Sequence, residues 1–288
     1  MSNIYIHQHL GLGDFISCNG LIRTLLKKVE KNENLYLFTP SQYKEMISFM
    51  YRDEPKIKIV SLMINEKKIK GRTIKKKAIN KLFAEGEAVE KFLQSISDQN
   101  YEFIKIGFDS YWPTSNLNPD KQMPWTADMI FYKQMKIPYK LRYSKCYWQR
   151  DKISEEKIFN TLIKDKSKPY AFIHDEPERG FIIKKEHIAS NLQIIRNNTK
   201  ESIFNFGLIL ERATEIHVME SSIRCMLETL DTSKAKHYLY RFTNGPWKSV
   251  PYYIKEKNIF VGTSKKWIFK DLKFLETEKN WLRRIFKL

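Results

Sequence analysis

Three short stretches of this 288-residue chain place reactive residue types just beyond apolar runs. The first is HLGLGD, from His9 to Asp14, between the apolar IYIHQ and the amphipathic FISCNGLIRTLLKKV. The second is EIHVMESSIRCMLETL, where Glu220, Ser221 and Ser222 separate an apolar run from a helical pattern. The third is FIHDEPERGF, which sets His174, Asp175 and Arg179 after PYAFIHD. A carboxylate such as Asp14 can take the proton of an attacking hydroxyl as a general base. It can equally cap the helix that follows, a position aspartate favours. The two roles compete, because a carboxylate bonded by N–H groups loses basicity. Ser221 and Ser222 offer hydroxyls and N–H groups at a helix start, which suits a diphosphate; capping by Ser221 fits the same pattern. Glu220 is placed to bind ribose hydroxyls. Arg179 can grip phosphate oxygens in pairs or stand solvated in its loop.

These positions follow from an alternation of strand and helix patterns. The first half reads as strands at 4–8, 34–40, 56–63 and 101–108, with helices over 15–29, 41–51, a segment ending at Leu93, and 126–135. After KLRYSKCYWQRD, read as a linker, the alternation resumes with strands at 169–175, 191–197, 214–220 and 236–242 and helices at 153–164, 202–213 and 221–232. Strand, helix and parallel strand at this spacing predict an α/β fold of two Rossmann-like domains facing a central cleft, residues 1–150 and 151–288. Ligands in such sheets lie beyond the carboxyl ends of strands, where all three stretches fall. Gly11 and Gly13 are expected to turn the chain sharply against a ligand. The loop is not a dinucleotide fingerprint, since Ile16 stands where a third small residue belongs, and no Walker lysine follows.

Composition narrows the classes. Apolar residues make up 42% and no run approaches the roughly 18 that a membrane span needs. The N-terminus lacks the basic and apolar regions of a secretory signal, so a cytoplasmic location is expected. Cys18, Cys146 and Cys225 are scattered without CxxC spacing and read as reduced core residues. The six histidines show no ligand spacing, so no metal site is expected, and His217, inside an apolar run, reads as a core histidine. The pairs Asp53-Glu54 and Asp175-Glu176 read as solvated loop acids. The net charge of +18 predicts attraction to polyanions, although an AT-rich coding bias gives the same lysine-rich composition.

HLGLGDFISCNGLIR resembles the N-terminal loop of GT-B glycosyltransferases of the heptosyltransferase-like kind, the type that builds bacterial surface polysaccharide. EIHVMESSIRCMLETL resembles their diphosphate loop and helix. The resemblance implies a metal-independent, hexosyl- or heptosyltransferase-type enzyme with no cofactor. It would move a sugar from a nucleotide-diphosphate sugar to a glycan or glycolipid acceptor in cell-surface glycan synthesis. It further implies Asp14 as the base, with His9, Gly13 and Asn19 on the acceptor side and His174, Arg179, Glu220, Ser221 and Ser222 on the donor side. The chain departs from the family in carrying Glu220-Ser221-Ser222 where heptosyltransferases have a Gly- and His-containing loop.

The tail KNWLRRIFKL pairs an apolar stripe with basic residues. It suits a closing helix docked on the core or peripheral contact with the anionic inner face of the membrane. Two other readings compete with the transferase. One is a nucleic-acid-binding protein, resting on the charge and on interleaved Tyr139, Arg142, Tyr143, Lys145, Tyr147 and Trp148; it lacks any RNP, KH or zinc-finger motif, so no nucleic acid is expected. The other is a nucleotide-sugar epimerase on the same framework.

Overall fold

The structure is a computed structural model that describes residues 3–8, 11–64, 74–97, 100–107, 127–176, 181–197, 200–219, 221–242 and 267–272. The chain divides into two compact units, Met1–Gln149 and Arg150–Leu288. The first contains β1 (Asn3–Gln8), α1 (Leu12–Ser17), α2 (Asn19–Leu25), β2 (Leu35–Pro40), α3 (Lys44–Met50), β3 (Ile57–Leu62), α4 (Ile74–Ser95), β4 (Tyr101–Ile106), α5 (Ala127–Gln134) and α6 (Leu141–Ser144). Its strands lie in the order β3-β2-β1-β4, all parallel. Both faces of β1 are buried, as a parallel sheet under helices requires. Tyr5 stacks on Tyr36 at 4.5 Å and joins Phe38, Leu62 and the α4 residues Val89 and Leu93 in one cluster. By strand alternation, Ile4, Ile6, Leu35 and Leu37 face the other way.

The expected helix over 15–29 starts earlier and is broken. Helix α1 begins at Leu12, the chain turns at Cys18, and α2 restarts at Asn19. A side chain at Gly20 would drive its Cβ to 2.3 Å from the Leu141 carbonyl oxygen, so only glycine lets α2 approach α6 this closely. Helix α6 lies in the stretch read as a linker. Gly107 ends β4 with a φ of 88°, and its N–H donates to Gln134 Oε1 at 2.8 Å.

The second unit contains α7 (Lys152–Leu162), β5 (Tyr170–His174), β6 (Gln193–Arg196), α8 (Gly207–Arg212), β7 (Glu215–Met219), α9 (Ser222–Leu227), β8 (Lys236–Phe242) and β9 (Trp267–Leu272). The order is β6-β5-β7-β8-β9, again parallel. Ala171, Ile173, Ile183, Ile188 and Tyr240 form the core on one face. On the other, Phe172 meets Phe206 at 5.7 Å between ring centroids. The segment read as one helix over 202–213 is a turn of 3-10 helix, Ile203–Phe206, followed by α8. Strand β9 is not marked by the strand pattern of the sequence. The docked or membrane-bound tail helix proposed for 279–288 lies outside the described residues. Among those described, no helix is long and apolar enough to cross a membrane.

Candidate functional site

In an open parallel sheet the ligand crevice forms where the strand order reverses, outside the carboxyl ends of the two strands that flank the reversal. In the first unit β2 and β3 lie to one side of β1 and β4 to the other, so the reversal falls between β1 and β4. Gly11 follows β1 in an extended conformation, φ −77° and ψ 177°, and caps α1. This corrects two expectations. Gly11 is extended, a conformation any residue adopts, in place of the sharp turn expected, and Asp14 is the third helical residue rather than the cap. Asp14 still satisfies the helix start: its Oδ2 accepts the Gly11 N–H at 3.1 Å, while its own N–H donates to the Gly11 carbonyl at 3.0 Å. Reaching back from the third position is the acidic half of a capping box. Among the described residues, a Cβ at Gly11 would meet nothing nearer than Asp14 Oδ2, at 3.9 Å.

Of the residues expected on the acceptor side, Gly13 lies in the first turn of α1 next to Asp14, and His9 lies outside the described residues. Asn19 is wholly buried. Its Nδ2 donates to the Tyr147 carbonyl at 3.0 Å, and its Oδ1 accepts from the Tyr147 N–H at 2.9 Å and from Arg23 Nε at 3.2 Å. The amide is spent on holding the main chain at Tyr147.

In the second unit the reversal falls between β5 and β7, whose register pairs His174 with Val218. Both strands end in polar groups that lack partners among the described residues. His174 is buried; Asn197 hydrogen-bonds its ring, yet Nδ1 has no partner. Desolvation lowers its pKa, so the imidazole is held neutral. Ser221 is the N-cap of α9, but its hydroxyl makes no capping bond and is buried without a partner. Ser222 is the first residue of α9. Glu220 and Arg179 lie outside the described residues, although the chain flanking Arg179 is fixed. Glu176 and Phe181 exchange hydrogen bonds at 2.9 and 3.1 Å. Asp175 accepts the Ile183 N–H at 2.9 Å and pairs with Arg196. Asp175 is therefore a buried structural ion, not the solvated acid expected. Asp53 is corrected likewise: its two oxygens accept from Arg23 at 2.8 and 2.9 Å, and Arg23 also reaches Glu54 at 3.1 Å.

His217 is the core histidine expected. Its Nε2 lies 3.1 Å from Glu215 Oε2 and its Nδ1 lies 2.9 Å from the Tyr240 hydroxyl. Since a carboxylate only accepts, Nε2 carries the proton and Nδ1 accepts from Tyr240. The aromatic and basic strip on which the nucleic-acid reading rested is partly internal: Lys145 and Tyr147 are exposed, but Arg142 and Trp148 are not. Arg142 pairs with Asp128 and donates to the Tyr139 hydroxyl at 2.7 Å, and both Arg142 and Trp148 are buried. Arg142, buried and paired, cannot serve in a phosphate track, which leaves Lys145 as the strip's one exposed cation. Among the described residues no three His, Cys, Asp or Glu side chains are grouped as a metal site needs.

No family model matches the sequence, and no curated protein matches it. Among solved structures, a glycosyl transferase family 9 protein from Veillonella parvula is similar with a TM-score of 0.50 at 10% identity, over 94% of this chain and 86% of that one. The E. coli ADP-heptose LPS heptosyltransferase II is similar with a TM-score of 0.45 at 10% identity, over 100% and 98% of the two chains. E. coli heptosyltransferase WaaC, solved with ADP, gives 0.47 at 9% identity, over 100% and 99%. The likeness to the Veillonella protein establishes the architecture: the chain has the α/β GT-B fold.

Proposed function

We propose that the protein is a glycosyltransferase moving a sugar from a nucleotide-diphosphate sugar to an acceptor hydroxyl in cell-surface glycan synthesis. The observation that carries this reading is Asp14, a braced carboxylate beyond the carboxyl end of β1 at the switch point of a sheet in the GT-B fold. Asp14 takes the acceptor proton as the hydroxyl oxygen attacks the anomeric carbon, and the bond to the nucleoside diphosphate breaks. His9 and Gly13 border the acceptor. Arg179, Ser221 and Ser222 meet the charge on the departing diphosphate, Glu220 takes the ribose hydroxyls, and neutral His174 adds a hydrogen bond beside them. Leaving-group stabilisation is thereby assigned to side chains rather than to a metal ion. Asn19, with its amide already engaged by Tyr147, acts as a brace for the acceptor half.

The orphaned Nδ1 of His174 and hydroxyl of Ser221 support placing the donor in the second unit, because buried polar groups without partners are rare in native proteins and mark where an external partner fits. The test begins with thermal shifts against UDP, GDP, CDP and ADP, since a ligand bound to the folded state alone must raise the melting temperature. The nucleotide so identified selects the donor for a transfer assay with Asp14→Asn. Transfer should be lost with donor affinity retained. Undiminished turnover in that variant removes Asp14 as the base.

A further inference from the structure

The first sheet carries a second unexplained feature at its carboxyl edge. Parallel register aligns side chains in rows across the strands. On the face shared by Ile4 and Ile6, one row runs Ile59, Leu37, Ile6 and Ile104, entirely apolar. The next row on that face, at the strand ends, is different. Gln8 pairs with Ile106, Thr39 pairs with Ser61, and Thr39 follows Phe38, the partner of His7, so it stands beside Gln8. Three adjacent strands therefore end in an amide and two hydroxyls, with no charged group in the row.

Gln8 is 1% exposed, and neither its Oε1 nor its Nε2 has a partner among the described residues. Thr39 is wholly buried, and among the described residues its hydroxyl reaches only the Pro40 carbonyl, at a long 3.3 Å. A buried primary amide with no bond at either end is strongly unfavourable, and a well-packed fold would more cheaply place leucine there. The amide presents one acceptor and two N–H donors side by side. An anion satisfies only the donors and a cation only the carbonyl. Adjacent neutral hydroxyls give and take hydrogen bonds at neighbouring atoms and satisfy both.

We propose that Gln8, Thr39 and Ser61 form the hydrogen-bonding floor of a site for an uncharged, hydroxyl-rich ligand, so that the acceptor presents a neutral sugar ring to the switch point between β1 and β4. This rests on the reading of the first unit as the acceptor half, and it specifies the acceptor class that half takes. The net charge of +18 then serves other contacts, not recognition of the accepting sugar.

The test uses the full chain, wild type and Gln8→Leu. Without ligand, Q8L should melt at the same temperature or up to a few degrees higher, because an apolar isostere removes the orphaned amide. Methyl glycosides of neutral hexoses should stabilise the wild type more than methyl glucuronide or glucose 6-phosphate does, and Q8L should lose that stabilisation. With the donor that supports transfer, acceptor KM should rise about tenfold or more in Q8L, with kcat changed far less. A drop of several degrees in ligand-free Q8L overturns the proposal, since the amide would then be satisfied within the fold. So does wild-type preference for the charged sugars, or no glycoside response lost in Q8L. Neutral-glycoside binding without transfer from any nucleotide sugar would leave this site standing and remove the glycosyltransferase reading. Transfer with an unchanged acceptor KM in Q8L would do the reverse.

Discussion

The loop after β1 and the loop after β7 each open a six-residue helix at the reversal of their own sheet, yet they treat their polar side chains in opposite ways. Asp14 turns its carboxylate back onto the Gly11 N–H, so the acid is braced before any ligand arrives. Ser221 stands at the helix cap without capping it, and both its hydroxyl and the His174 Nδ1 on the neighbouring strand stay buried without partners among the described residues. The contrast separates two ways of building a site. A group that must move a proton gains from a fixed position. A group that binds a departing ligand keeps its hydrogen-bonding capacity unspent until the ligand supplies a partner.

The largest effect that would break this contrast is on Asp14. Asp14→Asn keeps an oxygen able to accept the Gly11 N–H and removes the proposed base, so initial transfer rates should fall on the order of 10²- to 10⁴-fold with little change in melting temperature. A matching collapse of stability would show that the carboxylate is only a cap. The bracing of the first unit extends to Arg142, which pairs with Asp128 and donates to Ser17 Oγ at 3.3 Å. Arg142→Met strands a buried carboxylate and should cost about 3–5 kcal/mol in urea unfolding. A loss below about 1 kcal/mol would mean that this region is not rigid.

Ser221→Ala should do the converse of a cap removal. Folding stability should hold or rise slightly, while nucleoside diphosphate affinity measured by calorimetry falls about tenfold, the worth of a charge-assisted hydrogen bond. Loss of about 1 kcal/mol of stability with unchanged affinity would reassign the hydroxyl to the helix. The smallest expected effect is on pH. Burial lowers the folded pKa of both His174 and His217, so between those values and the unfolded value near 6.5 the unfolded chain binds more protons. The melting temperature should therefore be insensitive to these groups above pH 7 and decline as pH falls through 6.5. His217→Gln should flatten part of that decline, and a wild-type curve level from pH 8 to 5 would count against two buried neutral imidazoles.

Element order and the parallel sheets were legible in the sequence because apolar runs of strand length alternate with helical periodicity from Ile4 to Phe242. The break at Cys18 was not, since Leu21, Ile22 and Leu25 continue a helical pattern across a turn where the Cys18 backbone stands at φ −83° and ψ −2°. Strand β9 escaped because Lys270 and Asp271 interrupt its apolar alternation, as they can at a sheet edge. Within the candidate site, the placement of Asp14 and Ser221 at helix starts beyond strand ends was legible from type and position. The engagement of Asn19 with Tyr147 was not legible, because that partner lies 128 residues away. Gln8 was overlooked because a glutamine ending a strand looks solvated until register and burial put it in the last row of the sheet.

The central place of β1 also bears on how the chain is made. It pairs on one side with Leu35–Pro40 and on the other with Tyr101–Ile106, so during synthesis β1 has one flank bare until the chain through β4 has followed it out of the ribosome. At typical translation rates that interval is of the order of ten seconds. Throughout it the nascent segment bearing Gln8 is open to illegitimate pairing with a neighbouring chain.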